Sequence, residues 1–331
     1  MAIRNVRENT KMGISCIVTV FNKEDYIKET LKSIQEQNYS DFEVIVVNDG
    51  STDQTKKVIE EFADDERFTI IEKVNGGVSS ARNLGLQMSR MSHLVFVDGD
   101  DFVDAEYLTK LSENLGKTNA TTIISGLDMG HTKYVTTNRI LTNQELINNY
   151  NSLSSFINTP VATLYNSEII KNNNILFDEE MQYAEDLDFN LRYFQHSQIV
   201  SIINDADYHV VESKGGLSRR FVPQMIDYQR KVIYTAVKAY DTSETQKGLF
   251  EIVMKAIKTV LNHDIQNNNL DLFDDHVHQL ADTLAKYREF QYGVRFDGDY
   301  QNKIILYLLQ RNRVKTLYFI FKLKVALQKR G

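Results

Sequence analysis

Three carboxylates fall within four residues at Asp98-Gly99-Asp100-Asp101. Packed so closely, they repel one another unless positive charge sits among them. Oxygen donors of this kind suit Mg2+ or Mn2+, which keep part of their water shell and bind through one or two carboxylates together with substrate phosphates. Gly99 lets the backbone turn tightly and a ligand come close. Two further polar clusters lie upstream, Asn48-Asp49-Gly50-Ser51 and Asn75-Gly76-Gly77, the second leading into Ser80-Ala81-Arg82-Asn83. Any one of them alone reads as a solvated turn that supplies helix caps. Three in succession, at successive strand ends, point to a ligand site.

The segments that must position these clusters follow one rhythm. Ile14 to Val20 is a short apolar strand, and Tyr26, Ile27, Leu31 and Ile34 recur at helical spacing after it. Phe42 to Val47 is almost continuously apolar, as expected of a strand covered on both faces. Ser51, Thr52 and Asp53 are placed to cap the helix that carries Val58, Ile59 and Phe62. Phe68 to Ile71, His93 to Val97 and Thr121 to Ser125 bring the strands to five. This alternation predicts an open, mostly parallel α/β sheet, in which ligands bind at the carboxyl ends of the strands.

Further on, the pattern predicts a helix around 143–150, a short strand after Thr159-Pro160, and a helix entered through YAEDLDFNLRYF with Leu187, Leu191 and Phe194 buried. Residues 201–211 read as β again. Beyond Pro223 only helical patterns remain. The expected division is 1–220 for the α/β domain and 221–331 for a helical carboxyl-terminal region.

Composition narrows the function classes. The 331 residues hold 38 Lys and Arg against 45 Asp and Glu, a net charge of −7. Residues 300–331 contain eight of the basic residues and no acid, which leaves the rest of the chain at −15. So acidic a body argues against nucleic acid as a partner. The basic tail has two readings. One is a helix with Arg311, Lys315, Lys322 and Lys329 as a basic stripe, and Leu317, Ile320, Phe321 and Leu327 largely opposite, attached to an anionic membrane surface. The other is a terminal helix docked on the acidic body or on a second copy in a homo-oligomer. The lone Cys16 excludes an internal disulfide and is expected to be an inert core residue. The opening MAIRNVRENTKMG lacks the apolar stretch of a signal peptide, and no run approaches the ~20 apolar residues of a spanning helix. A cytoplasmic protein is expected, at most peripheral on the inner face of the cell membrane.

Four ordered motifs carry a resemblance over roughly residues 13–220. They are the opening IVTVFNKEDYIKETLKSIQEQNYSDFEVIVVNDGSTDQT, the segment NGGVSSARNLGL, the loop VFVDGDD and the segment AEDLDF. Together they resemble glycosyltransferase family 2, inverting nucleotide-sugar transferases of GT-A (Rossmann-like) fold. Thr19 stands where the family usually has proline, and Asn48 where it has the first of two aspartates.

The resemblance implies a UDP-sugar donor and specific roles. Val20 and the loop beginning Phe21-Asn22 would line the nucleobase pocket. Asp49 would accept a hydrogen bond from uracil, and Arg82 would hold the nucleotide from the opposite side. Asp98 would meet ribose or metal-bound water, and Asp100 would ligate the Mn2+ or Mg2+ bridging the diphosphate. Asp101 reads more as a structural cap than as a ligand. Asp186 would be the catalytic base, with Glu185 shaping the acceptor site. In the closing region 208–220, His209 or Glu212 would complete the metal shell, and Arg219 or Arg220 would meet phosphate. The chain layout is similar to bacterial cell-envelope transferases acting on teichoic acid or surface polysaccharide, which implies a glycan or polyol-phosphate polymer as acceptor. Two alternatives differ in class. A sugar nucleotidyltransferase would carry a Gly-rich loop with Arg and Lys after the first strand, where this chain has VFNKEDY. A non-catalytic nucleotide-sugar-binding protein would not need Asp100, Glu185 and Asp186 together.

Overall fold

The computed structural model describes residues 12–212, 222–267, 269–287 and 300–328. Their contacts divide into two compact units that interleave along the chain. The first is built from residues 12–143, 158–179 and 196–212. The second takes 144–157, 180–195 and the described residues beyond 221. The helical unit thus draws in two segments that precede the expected boundary at 220.

In the first unit the chain runs β1 (Ile14–Val20), α1 (Ile27–Gln35), β2 (Phe42–Asn48), α2 (Thr55–Glu60), β3 (Phe68–Glu72), α3 (Val78–Met88), β4 (His93–Asp98), β5 (Phe102–Val103), α4 (Tyr107–Lys117), β6 (Thr122–Ile124), β7 (Leu127–Asp128), β8 (Lys133–Tyr134) and β9 (Arg139–Thr142). Between α5 (Asn143–Asn148), α6 (Tyr150–Ile157) and α8 (Glu185–Phe194) of the second unit it contributes β10 (Thr163–Asn166) and α7 (Ser167–Asn172), and afterwards β11 (Ile199–Ile202) and β12 (Tyr208–His209). Eight strands form one sheet in the order β3-β2-β1-β4-β10-β6-β11-β9, and β5-β12-β7-β8 form a small second sheet. Strands β3, β2, β1 and β4 are all parallel, with β10 antiparallel between β4 and β6.

Every residue of β1 and β2 is buried, as continuous apolar strands covered on both faces require. Cys16 lies in that core, where burial pushes its thiol pKa far up, as an inert residue would show. Three local expectations change. The helix α2 ends at Glu60, before Phe62, although Phe62 is still buried against the sheet core. None of the three expected caps takes the N-cap of α2, which is Gln54, although Asp53 Oδ1 just before it accepts from Thr55 N at 3.0 Å. The stretch 201–211 is two short strands in different sheets, because the chain leaves the large sheet after Ile202 and pairs with β5 and β7 from Tyr208.

The second unit also contains α9 (Met225–Tyr240), α10 (Gln246–Gln266), α11 (Leu270–Ala285), α12 (Tyr300–Gln310) and α13 (Val314–Gln328). Most of the length of α10 is buried, and α6, α9, α11 and α13 pack around it. The basic tail is two helices rather than one. They break at Arg311-Asn312-Arg313, where Asn312 takes a positive φ of 49°. Leu317 and Phe321 are buried as the stripe pattern implied, but Leu327 is exposed. Lys329 lies outside the described residues.

Candidate active site

The order β3-β2-β1-β4 places a topological switch between β1 and β4, since the chain winds outward from β1 to β3 and then returns to the other side of β1. A crevice opens at such a point outside the carboxyl ends of the two strands. The acidic loop begins there. Asp98, the last residue of β4, is in register with Thr19, and Gly99 N donates to Thr19 O at 3.0 Å. A Cβ on Gly99 would stand 2.7 Å from Val20 Cβ, so only glycine lets the loop lie this close to β1. Val20 is buried under that loop and Phe21 is exposed beyond it.

The loop's charges are met from within the chain. Arg82, buried on α3, reaches Asp98 Oδ1 at 3.0 Å, with its guanidinium 5.2 Å from the Phe177 ring centroid. Lys23 Nζ lies 2.5 Å from Asp100 Oδ2. The expectation that positive charge must sit among these carboxylates therefore holds, but two side chains supply it here.

Asp101 is the structural member of the cluster. Its Oδ1 accepts from Val211 N at 2.9 Å, and its Oδ2 from the Tyr208 hydroxyl at 2.8 Å, while the same hydroxyl accepts from Asp98 N at 3.1 Å. Burial, and next the charge of Asp98, push the Asp101 carboxyl up to about 8.

The loops after β1 and β2 are stitched together. Asn22, at φ 52°, accepts from Thr52 N at 2.8 Å and donates its backbone N–H to Ser51 Oγ at 3.0 Å. Ser51 and Thr52 thus bind Asn48 and Asn22 instead of capping α2. Asn48, which replaces an aspartate of the family pattern, is wholly buried and donates to both oxygens of Glu72 at 3.1 Å.

Asp49, for which the resemblance implies a uracil contact, is engaged in the fold of a neighbouring loop. Its Oδ1 accepts from Gly76 N at 2.9 Å and holds Lys73 Nζ at 2.5 Å, and its Oδ2 accepts from Gly77 N at 2.8 Å. Both oxygens of a buried carboxylate are engaged in folding the 73–77 loop around it.

His209 also departs from expectation. Successive strand residues face opposite ways, and it is Tyr208 that faces the acidic loop. The His209 ring stacks on Phe102 with centroids 4.4 Å apart, and its Nε2 and Nδ1 lie 3.0 and 3.6 Å from Asp104 and Asp128. It is therefore not gathered with Asp98 and Asp100 as a ligand. Among the described residues no three His, Cys, Asp or Glu side chains form a metal cage. Glu212 is exposed, and Arg219 and Arg220 lie outside the described residues.

Sequence reasoning missed Lys23, Lys73 and Tyr208. Lys23 stood in plain view in the FNKEDY loop, and the alternation rule would have favoured one of Tyr208 and His209 over the other.

In the helical unit, Glu185, Asp186 and Asp188 occupy the first turn of α8, entered through Ala184 at φ 61°. Asp188 is buried, bound to Arg192 at 2.6 Å and accepting from Thr235 Oγ1 at 2.6 Å. It is structural. Glu185 and Asp186 are partly exposed, and burial together with the Glu185 charge raises the neighbouring Tyr183 phenol.

A mostly parallel sheet with the Asp98-Gly99-Asp100 loop at its switch point is the arrangement that the resemblance to GT-A glycosyltransferases implies. The family model "Glycosyl transferase family 2" matches residues 15–173. The chain is 31% identical over 239 residues to the uncharacterized glycosyltransferase EpsJ of Bacillus subtilis, covering 69% of this chain and 70% of that one. The chain belongs to glycosyltransferase family 2. It is also 27% identical over 209 residues to the poly(ribitol-phosphate) beta-N-acetylglucosaminyltransferase TarS of Staphylococcus aureus, covering 62% of this chain and 36% of TarS. The crystal structure of S. aureus TarS 1–349 in complex with UDP shares the fold, with a TM-score of 0.76 at 21% identity over 96% of this chain and 92% of that one.

Proposed function

We propose that this family 2 enzyme is an inverting glycosyltransferase that moves a sugar from a UDP-sugar to a hydroxyl of a bacterial cell-envelope glycopolymer, a teichoic acid or a surface polysaccharide. The observation that carries the donor half is the convergence of Arg82, Asp98 and Asp100 at the β1/β4 switch point. The relatives support the acceptor half, since TarS and the poly(ribitol-phosphate) beta-glucosyltransferase of Bacillus spizizenii, 28% identical over 245 residues, are named for such polymers. Among the described residues no helix is long and apolar enough to cross a membrane. A cytoplasmic location is part of the reading.

Asp98 and Asp100 fit a divalent cation. They are two oxygen donors on one loop, at the mouth of the crevice, and Mg2+ or Mn2+ needs no more from the protein when water and diphosphate oxygens complete its shell. When bound, such an ion neutralises charge that builds on the leaving nucleoside diphosphate.

The chain's own residues do the rest. Val20, Phe21 and Asn22 border the base, and Arg82 fixes Asp98 beside the ribose. Asp186 takes the proton from the acceptor hydroxyl as that oxygen attacks the anomeric carbon from the opposite face, with Glu185 beside it. One displacement inverts the anomeric centre, so an α-linked donor gives a β-linked product.

The test is mass spectrometry of a panel of UDP-sugars incubated with the protein and with poly(ribitol phosphate), poly(glycerol phosphate) or no acceptor, with and without Mn2+. Release of UDP from one donor, accelerated by one polymer, is expected. UDP binding without release from any donor would leave a nucleotide-sugar-binding protein. With pyrophosphate added, release of sugar 1-phosphate together with UTP would point to a nucleotidyltransferase.

A further inference from the structure

The helices α12 and α13 each bury one face and expose another that is both apolar and basic. On α13, Leu317, Phe321 and Val325 are buried at four-residue spacing, against a unit core that includes α10 and α11. On its outward side a second apolar ridge repeats at the same spacing, with Phe319 66%, Leu323 50% and Leu327 61% exposed. At 100° per residue, Lys315 and Lys322 lie along one flank of this ridge and Lys324 along the other. On α12, Tyr300, Ile304 and Tyr307 form a similar exposed stripe. Lys303 sits 5.7 Å over the Tyr300 ring and Arg311 4.7 Å over that of Tyr307.

An ordinary water-facing helix keeps its large apolar residues on the buried side. Here bulky apolar and tyrosine side chains share the solvent side with cations, and residues 300–331 include no acid. A helix with Phe and Leu aimed outward between lysines has the form of one lying in a membrane interface, where lysine stems extend past the apolar layer and tyrosines sit at headgroup level. A second copy meeting this face symmetrically would set like charges against like. An anionic surface complements it. Neither helix is long and apolar enough to cross a bilayer, so the geometry is that of a helix lying on one.

We infer that α12 and α13 form a docking surface for an anionic lipid bilayer, with Phe319, Leu323 and Leu327 entering the headgroup layer and Lys315, Lys322 and Lys324 meeting lipid phosphates.

The test uses the full chain and no sugar donor, so its outcome is separate from that of the transferase reading. The protein is pelleted with vesicles of phosphatidylcholine alone, or of phosphatidylcholine and phosphatidylglycerol in equal parts, at low and high salt. Binding to the anionic vesicles only, weakened by salt, is expected. Replacing Lys315, Lys322 and Lys324 together by Gln should weaken it by roughly 10²-fold, about fivefold for each charge. The combined Phe319→Ser, Leu323→Ser and Leu327→Ser variant should lose binding while keeping the wild-type melting temperature, since all three side chains are exposed. Equal binding to both vesicle types, no binding, or wild-type binding by the serine variant would overturn the inference. So would self-association, measured by sedimentation velocity without lipid, that the serine variant abolishes.

Discussion

Lys23 Nζ lies 2.5 Å from Asp100 Oδ2, so the second carboxylate of the acidic loop already holds a cation supplied by the chain. Lys23 follows β1 and Asp100 follows β4, and the two strands are neighbours in the sheet. A divalent ion at Asp100 must compete with this ammonium.

The competition is measurable. Lys23→Met should raise the affinity of the nucleotide-free protein for Mn2+, read by electron paramagnetic resonance of the free ion, by about tenfold if roughly 1.4 kcal/mol of pairing is removed. Asp100→Ala should abolish transfer, leave the fold intact and make UDP binding insensitive to EDTA. Full activity of Asp100→Ala, or wild-type activity indifferent to EDTA, would reject a metal-dependent reaction.

Asp49 gives a second prediction, in stability instead of binding. Because its carboxylate gathers Gly76 N, Gly77 N and Lys73, removing it leaves two amides and an ammonium without their acceptor. Asp49→Ala should destabilise the ligand-free protein by about 2–3 kcal/mol in urea unfolding. A residue engaged only with a nucleobase would leave the ligand-free stability unchanged.

These cases show what could be read in the sequence. β1, β2 and β4 were legible because each is an apolar run long enough to reveal burial on both faces. The two-residue strands β5, β7 and β8 were not, since two residues carry no periodicity and pairing with distant partners alone defines them. The same division runs through the site. Asp98, Asp100 and Arg82 announce themselves as local motifs. Lys23 and Tyr208 matter through partners 77 and 110 residues away, a proximity that only the folded sheet creates.

His93, at the start of β4, sets a pH dependence of stability. Burial lowers its imidazole to about 4, against an ordinary value of 6.5. The unfolded chain therefore takes up a proton as pH falls through 6.5, whereas the folded chain resists until about 4. Stability from this residue is present above 6.5 and lost as pH falls through that window. Melting temperatures measured from pH 7 to pH 4 should drop more steeply for the wild type than for His93→Gln. Parallel curves would remove His93 as the cause.

The assignment of the base turns on three acids in one helical turn. All three could serve merely to complement the α8 dipole, an effect of about 0.3–1 kcal/mol each. The structure separates them by their partners. Asp188 is buried between Arg192 and Thr235, so Asp188→Ala should act on folding, costing roughly 1–3 kcal/mol. Asp186 and Glu185 are the partly exposed members. A sugar hydroxyl is a weak nucleophile at neutral pH and needs a carboxylate within hydrogen-bond reach or one water away. Asp186→Asn keeps the shape of that carboxylate and removes its basicity. It should lower turnover by roughly 10²–10⁴-fold, the usual contribution of a positioned base, while affinity for the UDP-sugar and melting temperature stay near wild type. Glu185→Gln should change the KM for acceptor more than turnover, because its proposed part is to shape the acceptor site. If Asp186→Asn turns over normally and Glu185→Gln carries the loss, the base is Glu185 and the roles of the two neighbours are exchanged.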